Sequence, residues 1–407
     1  MKSVMNLEGQ KSSATLVLNQ MMKTLEKQGR KVYKFGFGQS PFPVPKFLVD
    51  ELKKNAFQKS YEDTLGVQEL RSAIADWYKQ KYSVDVDKDQ VMITTGSKAA
   101  IFHSQMINRE RNNVMTPAWV SYLNQNILVS QPHRKFMTTF ENKWQLNTQD
   151  MKSMNNDDHI IINSPNNPTG LMIDMKKFSQ DINPNTIVFS DEIYSLLSHL
   201  NPTPPTMLNF RKRTIVSNGL SKWAGAGGWR LGFAVFSKDL LKIRRQMGVF
   251  MSELSSCTPS PVQHAAIKLF REFHLMDDYL KKSNFSLHVL TKEINKILHK
   301  SQIKFHEPEG GFYYYLNFNN YKDKLAKKGI HNNIDFCTKL LNDTGVAVLA
   351  GSYFGHDDHD IFARYSYVDF NGSDVINNDN LSYTDIVKIG KKVLEGTQVL
   401  VDYLENL

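Results

Sequence analysis

Short, continuous apolar runs recur from about Asp89 onward, and they constrain the fold more than any other feature of the sequence. The runs are QVMITTG, NNVMTP, HIIINSP, TIVFSDE, TIVSNG and LGFAVFS. They lack the polar–apolar alternation of a half-exposed strand, as expected for strands that are buried on both faces. Because amphipathic segments follow several of them, we predict an α/β fold whose large domain has a mostly parallel sheet flanked by helices. In such sheets, ligands bind at the carboxyl ends of the strands.

Three other segments have the periodicity of amphipathic helices. They are ATLVLNQMMKTLEKQG, which should stop at Gly29, GVQELRSAIADWYKQKY, and FSLHVLTKEINKILHK. We predict that the last of these is a long helix leading from a large domain into a smaller C-terminal α/β domain. The aromatic stretch GGFYYYLNF, residues 310–318, is predicted to be a strand packed in that smaller domain rather than a pocket wall.

Composition excludes several classes of protein. The net charge of +9 over 407 residues is spread along the chain, without a basic tract interleaved with aromatic residues, so nucleic-acid binding is not predicted. No apolar run approaches the roughly 20 residues of a membrane span, and the N-terminus lacks the apolar segment of a signal peptide. The two cysteines, Cys257 and Cys337, have no metal-type spacing. We therefore predict a cytoplasmic protein with free thiols, no metal site and no membrane association.

Three polar motifs follow the apolar runs, at the places where strands should end. The loop INSPNNPTG covers residues 162–170, and VFSDEIYSLL places Asp191 and Tyr194 directly after a buried run. In TTGSKAAIF, Ser97 and Lys98 open a helix whose unpaired backbone N–H groups suit a phosphate. Taken singly, each motif has an ordinary explanation as a strand-exit loop, a carboxylate that favours a helix dipole, or a capped helix.

A fourth motif is SNGLSKWAGAGGWRLGF, which contains one lysine, Lys222, and one arginine, Arg230, eight positions later. Along the chain, the phosphate-binding helix start comes first, followed by an asparagine, an aspartate with a tyrosine, a lysine and an arginine. In this order, the four motifs resemble those of the fold-type I pyridoxal-phosphate (PLP) enzymes. Specifically, the chain resembles the class I and II aminotransferases, the aspartate and aromatic aminotransferase superfamily, from about Tyr33 to Tyr367. This resemblance implies a large PLP-binding domain of residues 46–287. It also implies a small domain of residues 288–407 together with residues 1–45, which include an N-terminal arm.

The resemblance also implies the activity. Such a chain is a transaminase that uses pyridoxal 5′-phosphate to move an amino group between an L-amino acid and a 2-oxo acid, by a ping-pong mechanism. The catalytic residues would be Lys222, Asp191 and Tyr194. Lys222 matches the lysine that forms the Schiff base with the cofactor and later acts as a base, which requires a lowered pKa; we expect Arg230 and the cofactor ring to lower it. Asp191 matches the partner of the pyridine nitrogen, and Tyr194 and Asn167 match the partners of the phenolic oxygen.

Further cofactor contacts follow from the same resemblance. Trp119 matches the aromatic residue that stacks on the ring, and Ser97 and Lys98 match the phosphate cradle. Arg230 matches the arginine that binds the phosphate. Many relatives carry a serine that binds the phosphate where this chain has Gly219, so we expect that contact to be missing and Ser221 to replace it.

The resemblance also places substrate and partner contacts. Arg364, in FARYSYV, matches the arginine that grips the substrate α-carboxylate in a bidentate pair. Gly38 matches a glycine whose backbone N–H touches the same carboxylate, and Asn167 lies near the substrate as well. Tyr61 matches a tyrosine that reaches the phosphate of the neighbouring subunit, so a homodimer with shared active sites is predicted.

Two other functions remain open on sequence grounds. A PLP-dependent C–S β-lyase shares this fold and most of these residues, but it releases ammonia and pyruvate without an amino acceptor. A non-catalytic effector-binding protein of the same fold usually carries a DNA-binding domain before it. Only roughly 30 residues precede the first motif here, too few for a three-helix DNA reader. We therefore predict the aminotransferase.

Overall fold

A computed structural model describes residues 14–199 and 204–407, so residues 1–13 of the predicted N-terminal arm lie outside the described residues. Its strands are β1 (Tyr33–Lys34), β2 (Val91–Thr94), β3 (Asn112–Thr116), β4 (His133–Met137), β5 (His159–Asn163), β6 (Ile187–Asp191), β7 (Thr214–Gly219), β8 (Gly232–Phe236), β9 (Tyr313–Asn317), β10 (Val346–Ala347), β11 (Leu349–Ala350) and β12 (Phe362–Ser366). Its helices are α1 (Ala14–Lys27), α2 (Lys46–Asn55), α3 (Gln68–Tyr82), α4 (Ser97–Ile107), α5 (Val120–Leu128), α6 (Thr148–Lys152), α7 (Met175–Asp181), α8 (Leu241–Ser255), α9 (Ser260–Arg271), α10 (Asp277–Leu298), α11 (Lys322–Lys327), α12 (Asn333–Thr344), α13 (Gly372–Ile376), α14 (Tyr383–Ile389) and α15 (Lys391–Glu405).

All six apolar runs form strands of one seven-stranded sheet, in the order β2-β8-β7-β6-β5-β3-β4. Strand β8 is antiparallel to β2 and β7, whereas the other neighbouring pairs are parallel. The prediction of an α/β fold with a mostly parallel sheet is therefore confirmed. The seventh strand, β4, has no apolar run, because it lies at the sheet edge and only Phe136 of its sequence HRKFM is buried.

The central strands contribute alternate residues to two hydrophobic clusters. On β5, Ile160 and Ile162 pack in one cluster and Ile161 packs in the other. On β6, Val188 joins the first cluster and Phe189 the second. Since successive side chains of a strand point to opposite faces, a sheet covered on both faces requires apolar residues at every position. This requirement explains the continuous runs.

A second, three-stranded antiparallel sheet has the order β11-β12-β9. The short strand β1 pairs in parallel with β10, with Tyr33 opposite Val346, so an early segment of the chain is attached to a late one. The three predicted helices are present as α1, α3 and the 22-residue α10. Within the described part of the chain, no helix combines the length and the apolar character needed to cross a bilayer.

Candidate active site

The carboxyl ends of the neighbouring strands β5, β6 and β7 meet at a cavity of about 670 Å³. In the strand register, Asn163 lies opposite Asp191, and Asp191 lies opposite Ser217. The structure brings eleven of the twelve predicted site residues to this cavity: Gly38, Ser97, Lys98, Trp119, Asn167, Asp191, Tyr194, Ser221, Lys222, Arg230 and Arg364. The twelfth, Tyr61, is 87% exposed and lies on the outer surface of the chain. An exposed position of this kind suits the predicted contact with a second subunit.

Lys222 follows β7 by three residues, and its Nζ donates a hydrogen bond to the Gly38 carbonyl oxygen at 2.7 Å. Burial lowers the pKa of Lys222 to about 8, because it disfavours the charged ammonium. The positive charge of Arg364 adds to this effect, Asp191 opposes it, and Arg230 contributes less than either. The lowered pKa thus agrees with the prediction, but its main cause is burial rather than the predicted repulsion by Arg230.

We predict that the Lys222 amine reacts as an unusually acidic lysine in the cofactor-free protein. A pKa near 8 means that acylation of Lys222 should rise steeply between about pH 7 and 9 and then level off. Lys54 is a matched reference, because its hydrogen bond to Glu51 raises its pKa above the usual value. Brief exposure to acetic anhydride at a series of pH values, read by peptide mass spectrometry, measures both lysines at once. A Lys222 midpoint as high as that of Lys54 would contradict the prediction.

Asp191, the last residue of β6, is buried and held by two hydroxyl groups. Its Oδ2 accepts from Tyr122 Oη at 2.6 Å, and its Oδ1 accepts from Ser217 Oγ at 3.1 Å. Burial raises the pKa of this carboxyl group to about 6, although the two hydrogen bonds oppose that rise. Tyr122 and Ser217 were not predicted from the sequence. The signal for Tyr122 is its spacing, since it lies three residues after Trp119, where one turn of α5 brings both side chains to the same side.

The start of α4 and Arg230 form a cationic cradle. Gly96, with φ +77°, precedes the helix, and a Cβ atom on it would lie 2.4 Å from Arg230 Nη2. Arg230 donates to two backbone carbonyl oxygens, those of Gly227 at 2.9 Å and Thr95 at 3.3 Å. The buried Thr95 Oγ1 has no hydrogen-bond partner among the described residues. Free helix N–H groups, a guanidinium and an unpartnered hydroxyl are donors that fit the phosphate group of PLP.

The other predicted cofactor residues surround this cradle. Trp119 directly precedes α5, and the Lys98 ammonium lies 4.9 Å from the centre of its ring. Ser221 lines the cavity. At Gly219, an added Cβ would be 2.8 Å from the Leu231 carbonyl oxygen, so the backbone leaves little room for the serine that many relatives carry. This close contact agrees with the expected loss of that serine contact.

Arg364, in the middle of β12, is buried and lines the same cavity. Its Nη1 donates to Asn167 Oδ1 at 3.0 Å and its Nη2 donates to the Gly36 carbonyl oxygen at 2.8 Å. Its buried Nε has no hydrogen-bond partner among the described residues. The guanidinium therefore faces the cavity with neutral acceptors, rather than a carboxylate, as its hydrogen-bond partners.

Tyr313 is a further cavity residue, and it lies in the aromatic stretch for which we preferred a packed strand to a pocket wall. Residues 313–317 do form strand β9, as predicted, and Tyr314 and Tyr315 are buried in the packed interior. Tyr313, the first residue of the strand, instead lines the cavity. The prediction that this stretch only packs in the small domain is therefore wrong for Tyr313.

An α/β fold with a buried lysine, a strand-end carboxylate and a phosphate-type cradle around one cavity is the arrangement of fold-type I PLP enzymes. The model of the family "Aminotransferase class I and II" matches residues 30–367, and the chain belongs to this family. An aspartate aminotransferase of Thermotoga maritima is 28% identical over 361 residues, which cover 84% of this chain and 89% of that protein. An asparagine–oxo-acid transaminase of Streptococcus mutans is 28% identical over 372 residues, covering 87% and 92%.

Solved structures agree with these sequence similarities. The crystal structure of the Thermotoga maritima aspartate aminotransferase has a TM-score of 0.79 and 25% identity, and the match covers 97% of this chain and 98% of that one. The aspartate aminotransferase of Rhizobium meliloti has a TM-score of 0.82, covers 99% of both chains, and at 21% identity supports the fold alone. The predicted PLP-dependent aminotransferase, which transfers amino groups between amino acids and 2-oxo acids, is thereby confirmed.

Proposed function

We propose that this cavity is the active site, with pyridoxal 5′-phosphate bound covalently to Lys222 and its phosphate in the cradle of Ser97, Lys98, Ser221 and Arg230. The observation that carries the proposal is the buried Lys222 amine, with its pKa near 8, in one cavity with Asp191 and this cradle. When bound, the cofactor supplies an electron sink for the electron pair released at the substrate Cα.

The cavity residues have separate roles in holding the cofactor and in moving the proton at the substrate Cα. Asp191, held by Tyr122 and Ser217, carries a negative charge to the position proposed for the pyridine nitrogen and keeps that nitrogen protonated. With the cofactor bound, Trp119 would cover one face of the ring, and Tyr194 and Asn167 would hold the phenolic oxygen. Lys222, once free, moves the proton at the substrate Cα as a general base, for which an amine with a pKa near the working pH is well suited.

The experiment that tests this function is a titration of the purified protein, loaded with PLP, with single amino acids. Aspartate and asparagine come first, because they are the donors in the names of the two relatives described above. We expect a visible absorption band that bleaches with a donor and returns when a 2-oxo acid is added, as a ping-pong reaction requires. Release of ammonia and pyruvate from a cysteine-type substrate without an acceptor would point to a β-lyase instead. The absence of any band after loading would contradict the proposal.

Substrate capture is assigned to Arg364, with the Gly38 backbone N–H as a second donor. We predict that Arg364→Leu lowers kcat/KM by roughly 10²- to 10³-fold, mainly by raising KM, because a charged bidentate pair to the substrate carboxylate is lost. Arg364→Lys is the matched control: it keeps the charge, loses the planar fork, and should recover only part of the affinity. Steady-state kinetics with both substrates, at measured cofactor content, give the result. An unchanged KM in Arg364→Leu would remove Arg364 from the substrate site.

We also propose that the active unit is a homodimer in which Tyr61 reaches the partner's phosphate site. Besides Tyr61, the chain exposes the apolar side chains of Phe57, four residues earlier, and of Val249 and Leu254 on α8, which a second subunit would cover if they lie at the contact. Sedimentation velocity measures the assembly directly.

The division into residues 46–287 and residues 1–45 with 288–407 is likewise a proposal; it is supported by the separate sheets and by the β1–β10 pair. Cytoplasmic localisation remains a prediction.

A further inference from the structure

Tyr313 is buried to 1% exposure, yet it lines the cavity. Its neighbour Tyr314 points away, because successive side chains of a strand alternate between faces. Tyr314 Oη donates to Asn295 Oδ1 at 2.6 Å, on helix α10. The two tyrosines are therefore chemically equal and equally buried, but only one of them touches the site.

The Tyr313 hydroxyl lies between two residues of the proposed machinery. Its oxygen is 2.9 Å from Tyr194 Oη, and its proton has a second, more distant acceptor in the Gly38 carbonyl oxygen at 3.4 Å. That carbonyl oxygen already accepts from Lys222 Nζ at the shorter distance of 2.7 Å. The position is closely fitted, since a Cβ on Gly38 would lie 2.0 Å from the Tyr313 hydroxyl oxygen.

A single hydroxyl proton lies between the two tyrosine oxygens. Which tyrosine donates it determines whether the Tyr194 proton is available to the cavity. If Tyr194 donates to Tyr313, the Tyr194 proton is used within the protein. If Tyr313 donates, the Tyr194 proton is free to point into the cavity. The Arg364 guanidinium carbon lies 4.7 Å from the centre of the Tyr313 ring, and this positive charge favours Tyr313 as the donor.

We propose that Tyr313 is a positioning residue whose hydroxyl donates to Tyr194 Oη and thereby directs the Tyr194 proton into the cavity. This inference rests on the proposed function, in which Tyr194 holds the phenolic oxygen of the cofactor. Tyr313 itself touches neither the reacting carbon nor the phosphate cradle in this assignment. Its contribution is to keep Tyr194 available as a donor in one orientation.

The test is the pH titration of the visible absorbance of the PLP-loaded enzyme, without substrate. A hydrogen bond from Tyr194 stabilises negative charge on the phenolic oxygen and so lowers the proton affinity of the adjoining lysine linkage. Tyr313→Phe keeps the ring but removes the donor, so we expect the midpoint to rise by roughly half a pH unit or more. Tyr314→Phe, the matched control, loses an equally buried hydroxyl group and should leave the midpoint within about 0.2 units.

A double-mutant cycle separates positioning from a general structural role. If Tyr313 acts through Tyr194, then Tyr313→Phe should cause no further shift in a Tyr194→Phe background. Equal shifts in both backgrounds, or an unmoved midpoint in the single variant, would overturn the inference. If Tyr313→Phe does not yield folded protein, Tyr313→Met removes the same hydroxyl while keeping an apolar side chain, and it should reproduce the upward shift; an unmoved midpoint in that variant would overturn the inference too.

The two proposals fail in different ways. If the wild-type protein loaded with PLP shows no visible band, then the proposed function fails, and the role of Tyr313 fails with it. If the wild-type band is present and titrates with pH, but the midpoint of Tyr313→Phe equals that of the wild type, only the proposed role of Tyr313 is lost.

Discussion

Replacing Lys222 with alanine is expected to abolish amino transfer, with kcat at least about 10³-fold below that of the wild type. The variant loses both the nucleophile that binds the cofactor and the base proposed to move the Cα proton. It should still fold, because the Lys222 side chain makes one hydrogen bond in the structure, to the Gly38 carbonyl oxygen. The measurements are single-turnover kinetics and the visible spectrum after loading with PLP.

Two controls make this result specific. Lys222→Arg keeps a positive charge in the same cavity but offers no amine nucleophile at neutral pH, so it should be as inactive as Lys222→Ala. Lys238→Ala removes an exposed lysine and should behave as the wild type. Substantial turnover in Lys222→Arg would show that another group carries the chemistry.

The second large effect is expected for Asp191→Asn, which should lower kcat by roughly 10²- to 10⁴-fold. The amide has nearly the same shape, but it carries no negative charge to keep the ring nitrogen protonated. It also replaces one acceptor oxygen by an NH₂ donor, although both Tyr122 Oη and Ser217 Oγ donate to the carboxylate in the wild type. Single-turnover kinetics with the PLP-loaded variant measure the loss. Tyr122→Phe is the graded control: it keeps the charge, removes one hydrogen bond, and should have a much smaller effect.

Although Asp191→Asn is expected to reduce activity, it should not reduce the thermal stability of the cofactor-free protein above pH 6. Burial raises the pKa of Asp191 from 3.8 to about 6, because the folded protein favours the neutral carboxyl group. The contribution of Asp191 to the free energy of unfolding is therefore fully present below about pH 4 and is lost as the pH rises through 6, where the buried group becomes charged. Above pH 6, therefore, the cofactor-free Asp191→Asn protein should melt no lower than the wild type while its activity is severely reduced. Differential scanning calorimetry at pH 4 and pH 7 tests the sign. A variant that is less stable at pH 7 would show that the hydrogen bonds outweigh the buried charge.

The fold was predictable to the extent that it depends on local pattern. Continuous apolar runs indicate strands covered on both faces, and every such run became a strand of the large sheet. Strand β4 carries no such signal, because an edge strand with one buried residue needs little apolar sequence. The pairing of β1 with β10 joins residues more than 300 positions apart, and nothing in a two-residue strand specifies its partner.

The site was predictable where a motif identifies a residue, but not where a contact between distant residues determines a role. Lys222, Asp191 and Arg364 follow from motifs that resemble a family. Tyr313, in contrast, reaches the cavity only because β9 begins beside Tyr194, 119 positions away in the sequence. The main cause of the lowered pKa of Lys222 is burial, which a sequence does not measure.

The short segment from Gly36 to Gly38 has a consequence for how ligands are selected. The carbonyl oxygens of Gly36 and Gly38 accept from Arg364 Nη2 and from Lys222 Nζ, so each cation has a neutral backbone partner. In the proposed substrate site, an arriving carboxylate would displace a neutral carbonyl dipole from the Arg364 guanidinium. Such a replacement favours anions strongly over uncharged amides of the same shape, because only an anion gains more from the buried charge than the displaced carbonyl did. With Arg364 in the proposed role, we therefore expect the enzyme to discriminate against substrates whose α-carboxylate is amidated.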